Sequence, residues 1–161
     1  WPTCGTSEKW SAVSGASDLP EQLRRRIEEL SEKRPGSIGD LLGFQLLKSD
    51  CQKQEFWLSC STEPWMCNAA GTLHGGMGAT ILDQAMGFIA HCLKPGPGTA
   101  PAIQLKVDYH RPLHPGEGVL VKVRLLSVTA SLLHLTAEAA QSHAPDKLCL
   151  SGSGIYFYKN D

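Results

Sequence analysis

The chain has 161 residues, 42% of them hydrophobic and 19% charged, with a formal net charge of −1. That is material for one domain with a real core, and near-neutrality argues against a nucleic-acid partner, which calls for a basic face. No apolar run reaches the length needed to span a bilayer. The six cysteines (Cys4, Cys51, Cys60, Cys67, Cys92, Cys149) are scattered, with no Cys-x-x-Cys pair. Neither a zinc site nor a disulfide scaffold is expected from them, and reduced thiols suit an intracellular, cytoplasmic protein. The chain starts at Trp1 without a charged-then-apolar signal pattern, which leaves room for an upstream organelle-targeting segment.

Residues 1–19 lack periodicity and are rich in Ser, Gly and Thr, so they read as a loose leader. Residues 20–161 read as one domain that opens with an amphipathic helix. Asp18 is its expected cap, Leu23, Ile27 and Leu30 share a face, and Pro35 and Gly36 end it. It is expected to be peripheral, with its charges on a solvated side. "GFQLLKSDCQ" and "KQEFWLSCSTEP" read as two strands of a hairpin that Pro64 closes. "LKPGPGTAP" breaks whatever helix precedes it. "AIQLKVDYH" alternates Ile103, Leu105, Val107 and Tyr109 against polar residues, a strand with one buried face. "VLVKVRLLSV", "SLLHLTAEAAQ" and "KLCLSGSGIYFYK" are three more strands. The pattern is an α+β domain, an antiparallel sheet packed on one long central helix.

That helix is expected over residues 76–92, where Met77, Ala79, Ile81, Leu82, Ala85, Met86, Phe88, Ile89 and Ala90 leave no broad polar stripe. It should be buried on all sides, by the sheet, by a partner chain, or by both. Asp83 interrupts it. A carboxylate in such a helix either pairs, braces a neighbouring loop, or works in a cleft. Gln84 beside it reads as a hydrogen-bonded companion or a substrate contact.

The helix start, "HGG", is the second unusual feature. First-turn N–H groups lack internal acceptors and carry the positive end of the dipole, and glycine lets a ligand oxygen approach them. Gly75 and Gly76 are therefore candidate donors to a polarised carbonyl, while Gly78 fits close packing on the sheet. Gly75 and Asp83 stand eight residues apart, about 12 Å at ~1.5 Å per residue. A group held at the helix start cannot be reached by Asp83 of the same helix. If both serve one site, two copies of the chain build it around a twofold axis.

"NAAGTLHGGMGATILD" closely resembles the signature of hotdog-fold acyl-CoA thioesterases of the phenylacetyl-CoA thioesterase type, and "IQLKVDYHRPLHPGE" resembles the family's next strand. The resemblance runs from about Ile38 to Lys159. It implies a curled antiparallel sheet wrapped around one helix, an acyl-CoA substrate, no cofactor and no metal. It also implies a homodimer or homotetramer with active sites at the dimer interface. Carried over by residue, Asp83 is the nucleophile or the general base for water. The Gly75 N–H, with Gly76, polarises the thioester carbonyl. Asn68 orients water or thioester, and His74 fixes the loop near the reacting group. Where some relatives place a Ser after the helix, this chain has Ala102, with Thr99 and Gln104 the nearest polar residues. Among Lys94, Lys106, Arg111, Lys122 and Arg124, Arg111 is the first candidate for a coenzyme A phosphate. Cys67 and Cys92 read as small buried thiols, and the remaining histidines show no ligand spacing. The competing readings are a non-catalytic module binding acyl-CoA or an aromatic ligand, and a hotdog dehydratase.

Overall fold

In a computed structural model, which describes residues 19–32, 35–93 and 100–158, the apolar segment is a 19-residue helix, Gly75–Leu93. Two helices precede it, α1 (Leu19–Glu32) and α2 (Ile38–Leu42), so the long helix is α3. The strands are β1 (Gln45–Asp50), β2 (Glu55–Cys60), β3 (Ala102–Tyr109), β4 (Val119–Val128), β5 (Leu132–Gln141) and β6 (Leu150–Phe157). They form one curled antiparallel sheet in the order β1-β2-β4-β5-β6-β3. The predicted hairpin is present, from Gln45 opposite Ser59 to Asp50 opposite Glu55. Alternation sets the inner face: Phe56, Leu58, Val119, Val121, Val123, Leu133 and Leu135 are all buried against α3 or the elements beside it. Among the described residues no helix is long and apolar enough to cross a membrane.

The first helix lies at the periphery, as its amphipathic pattern predicts, yet it anchors firmly. Leu23 and Ile27 are 2% and 0% exposed and belong to the core, while Arg24, Arg25 and Arg26 pair with Glu21 and Glu29 outside. The Asp18 cap and residues 1–18 of the leader lie outside the described residues, as does most of the "LKPGPGTAP" breaker, while Leu19, placed in the leader, opens α1. The short α2 was not expected. Ser37 caps it by accepting from Asp40 N, and Gly43 ends it in the left-handed region at φ 56°, a pattern too short to show helical periodicity.

Two expectations fail. The apolar face of β3 is not buried by its own chain: Ile103 and Tyr109 are 59% and 56% exposed. After α3 the chain crosses to the far edge of the sheet, where β3 bonds only to β6. Tyr109 reaches back to the helix start, donating to Gly75 O, yet the strand's face stays largely uncovered. Nor is the outward face of α3 apolar. Gly76, Thr80, Asp83, Gln84, Gly87 and His91 recur at helical spacing and stay open to solvent, while Ile81, Leu82, Ala85, Met86, Ile89 and Ala90 are buried. The stripe escapes a hydropathy reading because half of its members, Gly76, Thr80 and Gly87, are small.

Small residues of the sheet let α3 settle close. A Cβ on Gly152 of β6 would stand 2.5 Å from the Lys106 carbonyl oxygen and 3.0 Å from Leu82 Cδ1. Backbone cannot yield at that distance. Gly152→Ala is expected to lower the unfolding free energy by about 1–3 kcal/mol, read as a lower urea midpoint with an unchanged m value.

Candidate functional site

Two cavities open along α3, one at its start and one at its middle. At the start, a tight turn is held by the Asn68 side chain. Its Oδ1 accepts from the N–H groups of Ala70 (2.9 Å) and Thr72 (3.3 Å), and its Nδ2 donates to Thr72 Oγ1 at 3.0 Å. Gly71 supplies the turn's positive φ of 77°. His74 N then donates to Met66 O at 2.9 Å, which fixes where the helix begins.

His74 caps that helix. Its Nδ1 accepts from Gly76 N at 2.9 Å, so the ring's proton belongs on Nε2. The Gly76 N–H is therefore already occupied, which removes it as the expected second donor to a carbonyl. Gly75 differs. Its N–H lacks an intrahelical acceptor and meets no other acceptor among the described residues, while its carbonyl accepts from the Tyr109 hydroxyl at 2.6 Å. A Cβ on Gly75 would lie 3.5 Å from the Tyr109 ring, an ordinary contact, whereas one on Gly78 would press to 3.1 Å from Leu150 Cδ1. Gly78 serves close packing, as expected. Gly75 leaves open space instead, beside a cavity of about 340 Å³ lined by Asn68, His74, Gly75, Tyr109 and Arg111 among others. Arg111 is exposed and spends one donor on Leu148 O at 2.8 Å. Lys106 and Lys122 pair with Asp108 and Glu55, and Lys94 lies outside the described residues.

The second cavity, about 260 Å³, contains Asp83, Gln84, Gly87, Ala102 and Tyr156. Tyr156 was not foreseen. Its hydroxyl donates to Asp83 Oδ1 at 2.9 Å and lies 3.0 Å from the Asp83 carbonyl oxygen. The side chain is 1% exposed. Burial above all, then the charge and hydrogen bond of Asp83, push its ionisation well above the ordinary tyrosine value, so it remains a donor. Tyr156 pins one carboxylate oxygen and leaves the other free. The Gln84 side chain does not pair with Asp83 and makes no hydrogen bond among the described residues. Of the residues weighed around the missing serine, Ala102 lines this cavity, Gln104 does not, and Thr99 lies outside the described residues.

Asp83 and the Gly75 N–H thus belong to separate cavities of one chain, roughly 12 Å apart along the helix axis. The thiols take no part. Cys67 and Cys92 are half-buried, and burial pushes Cys92 up to about 12, far from a thiolate at neutral pH. Among the described residues no three His, Cys, Asp or Glu side chains gather as a metal site would need.

Residues 70–144 match the family model described as "Thioesterase superfamily". The fold is also that of solved relatives. The Escherichia coli PaaI protein from the phenylacetic acid degradation operon superimposes with a TM-score of 0.72 at 15% identity, over 88% of this chain and 96% of that one. Mouse thioesterase superfamily member 2 gives 0.69 at 18% identity, over 84% and 96%. A Streptococcus mutans protein solved with acetyl-CoA gives 0.62 at 15%, over 73% and 90%. A Pseudomonas aeruginosa protein named as a proposed esterase is 24% identical over 123 residues, covering 76% of this chain and 89% of its own. The chain therefore has the hotdog fold of these structures, and its residues 70–144 are similar to the thioesterase superfamily.

The Tyr156 hydroxyl offers a direct check on the Asp83 geometry. Tyr156→Phe should cost about 1–2 kcal/mol of stability at neutral pH, the worth of a hydrogen bond to a charged group. Because the folded-state tyrosine titrates above the unfolded value of about 10, its stabilisation is complete below that pH and is lost as pH rises beyond it. Wild-type stability should then fall by up to ~1.4 kcal/mol per pH unit for this one group. Denaturant unfolding at pH 7 and pH 11 should show the gap to Tyr156→Phe narrowing.

Proposed function

We propose that the chain hydrolyses an acyl-CoA thioester, in a site formed where the helix start of one copy meets the Asp83 cavity of a second. The observation that carries this reading is the division along α3: one unoccupied N–H at its head, and one hydroxyl-pinned carboxylate eight residues on. Each half alone lacks what the chemistry needs. The match of residues 70–144 to the thioesterase superfamily supports thioester hydrolysis in general, and the similar structure solved with acetyl-CoA supports coenzyme A as the thiol.

In this reading the Gly75 N–H donates to the thioester oxygen and stabilises the charge that grows there as the carbon is attacked. Asp83 of the other copy either attacks that carbon itself or takes the proton from an attacking water. The carbon–sulfur bond then breaks, and the thiolate leaves and is protonated. With water as the nucleophile the acid is released at once, whereas direct attack by Asp83 leaves a mixed anhydride that water cleaves to acid and free carboxylate. His74 and Asn68 act by holding the turn that aims Gly75. Arg111, at the mouth of the same cavity, is placed to meet a coenzyme A phosphate. A twofold dimer is the smallest complete unit. The uncovered apolar face of β3 and the small-residue stripe of α3 supply surfaces that a second copy would cover, and a homotetramer would pair two such dimers.

Free-thiol release from a panel of acyl-CoA esters tests this directly. Asp83→Asn should abolish turnover with fold and mass retained, since the amide neither attacks nor accepts a proton. Gly75→Pro removes the donor at a helical position that tolerates proline and should lower kcat by about 10²–10³-fold with unchanged helical circular dichroism. Wild-type protein that binds acyl-CoA yet releases no thiol would favour the binding-module reading instead.

A further inference from the structure

We propose that the cavity beside Asp83 receives the acyl group as an uncharged aliphatic or aryl chain, and that Gly87 sets how much of it fits. This rests on the hydrolysis reading above. Gly87 lies one turn beyond Asp83, on the same face of α3. A glycine inside a helix costs about 1 kcal/mol relative to alanine, so its presence needs a reason. Packing within the chain does not provide one: a Cβ on Gly87 would meet only Tyr156 Cε1, at 3.6 Å, an ordinary contact. What the absent side chain provides is space in the cavity that holds Asp83.

The walls decide the chemistry of the guest. Leu30 of α1, Phe88, Ala100, Pro101 and Ala102 line the cavity together with His91, and among the described residues no lysine or arginine does. Asp83 is the single carboxylate of the described lining. An acyl group ending in a second carboxylate would find no fixed lysine or arginine charge in that lining and would be repelled by Asp83. Phe88 is a fixed wall, 7% exposed and packed edge-on against Phe44 with ring centroids 5.5 Å apart. Leu30 is a different kind of wall, partly exposed on a helix outside the stretch that matches the family model. Chain-length selectivity therefore depends on α1 as well as on α3.

Two readouts test the assignment. One is kcat/KM for acetyl-, hexanoyl-, dodecanoyl-, phenylacetyl- and succinyl-CoA; the other is calorimetric affinity for the unreactive ethyl, hexyl and dodecyl thioethers of coenzyme A. Gly87→Leu should lower the hexanoyl-to-acetyl ratio of kcat/KM, and the hexyl-to-ethyl affinity ratio, by about tenfold or more. Leu30→Ala should move the dodecanoyl-to-hexanoyl ratio upward, and succinyl-CoA should be the poorest wild-type substrate. Chain-length ratios left unmoved by both variants, at native mass, would overturn the proposal. So would a Gly87→Ala variant that loses the native oligomer with unchanged ratios, which would give the glycine to subunit contact. Thioether affinities that shift as expected in a protein without turnover would uphold the cavity while refuting hydrolysis, so the two failures are distinguishable.

Discussion

Everything at the site depends on how closely α3 lies on the inner face of the sheet. Gly152 and Gly154 of β6, with Ala137 and Ala139 of β5, remove side-chain bulk where the helix passes. The helix in turn offers Ile81, Leu82, Ala85, Met86 and Ile89, each fully buried. At roughly 25 cal/mol per Å² of apolar surface removed from water, a contact of this kind holds a helix against rotation and sliding. The chemical groups need that rigidity, because their positions are those of the helix itself.

Given that seating, the polar groups on α3 divide cleanly. The head of the helix is held by a turn whose own hydrogen bonds are closed through Asn68 and His74, leaving the Gly75 N–H as the open donor. The middle carries Asp83, whose burial cost is offset by the hydroxyl of Tyr156 from the strand opposite. Both arrangements are preorganised within one chain. What one chain does not supply is their meeting, since a straight helix keeps them about 12 Å apart. The separation sits beside two incompletely covered surfaces, the apolar side of β3 and the small-residue stripe of α3.

Much of this was legible in the sequence, for reasons that can be named. β2, β4 and β5 were legible as apolar-rich runs between turn signals, and each puts one face on the core. The central helix emerged within one residue at each end, since its apolar run is long and its start carries His-Gly-Gly. The face of β3 was misjudged because alternation reports that a face seeks cover and not which chain supplies it. The stripe on α3 was hidden because glycine and threonine hardly register in a hydropathy reading. Tyr156 could not be assigned to Asp83 because 73 residues separate them and only the order of strands joins them. Only the lone aspartate stood out beforehand, as a buried group needing a partner. The Gly76 N–H was miscast for a local reason: an N-cap histidine that accepts through Nδ1 leaves no trace in residue spacing.

The central claim is that two copies of the chain complete each site, and subunit mixing tests it most directly. Gly75→Pro and Asp83→Asn, each inactive alone, are unfolded together and refolded. If the donor comes from one copy and the carboxylate from the other, every mixed dimer holds one site with both lesions and one with neither. Random pairing around a twofold axis then restores about a quarter of wild-type activity. If donor and carboxylate served a site within one chain, every site would carry one lesion. No recovery, with mixed dimers confirmed by native mass spectrometry, would contradict the account.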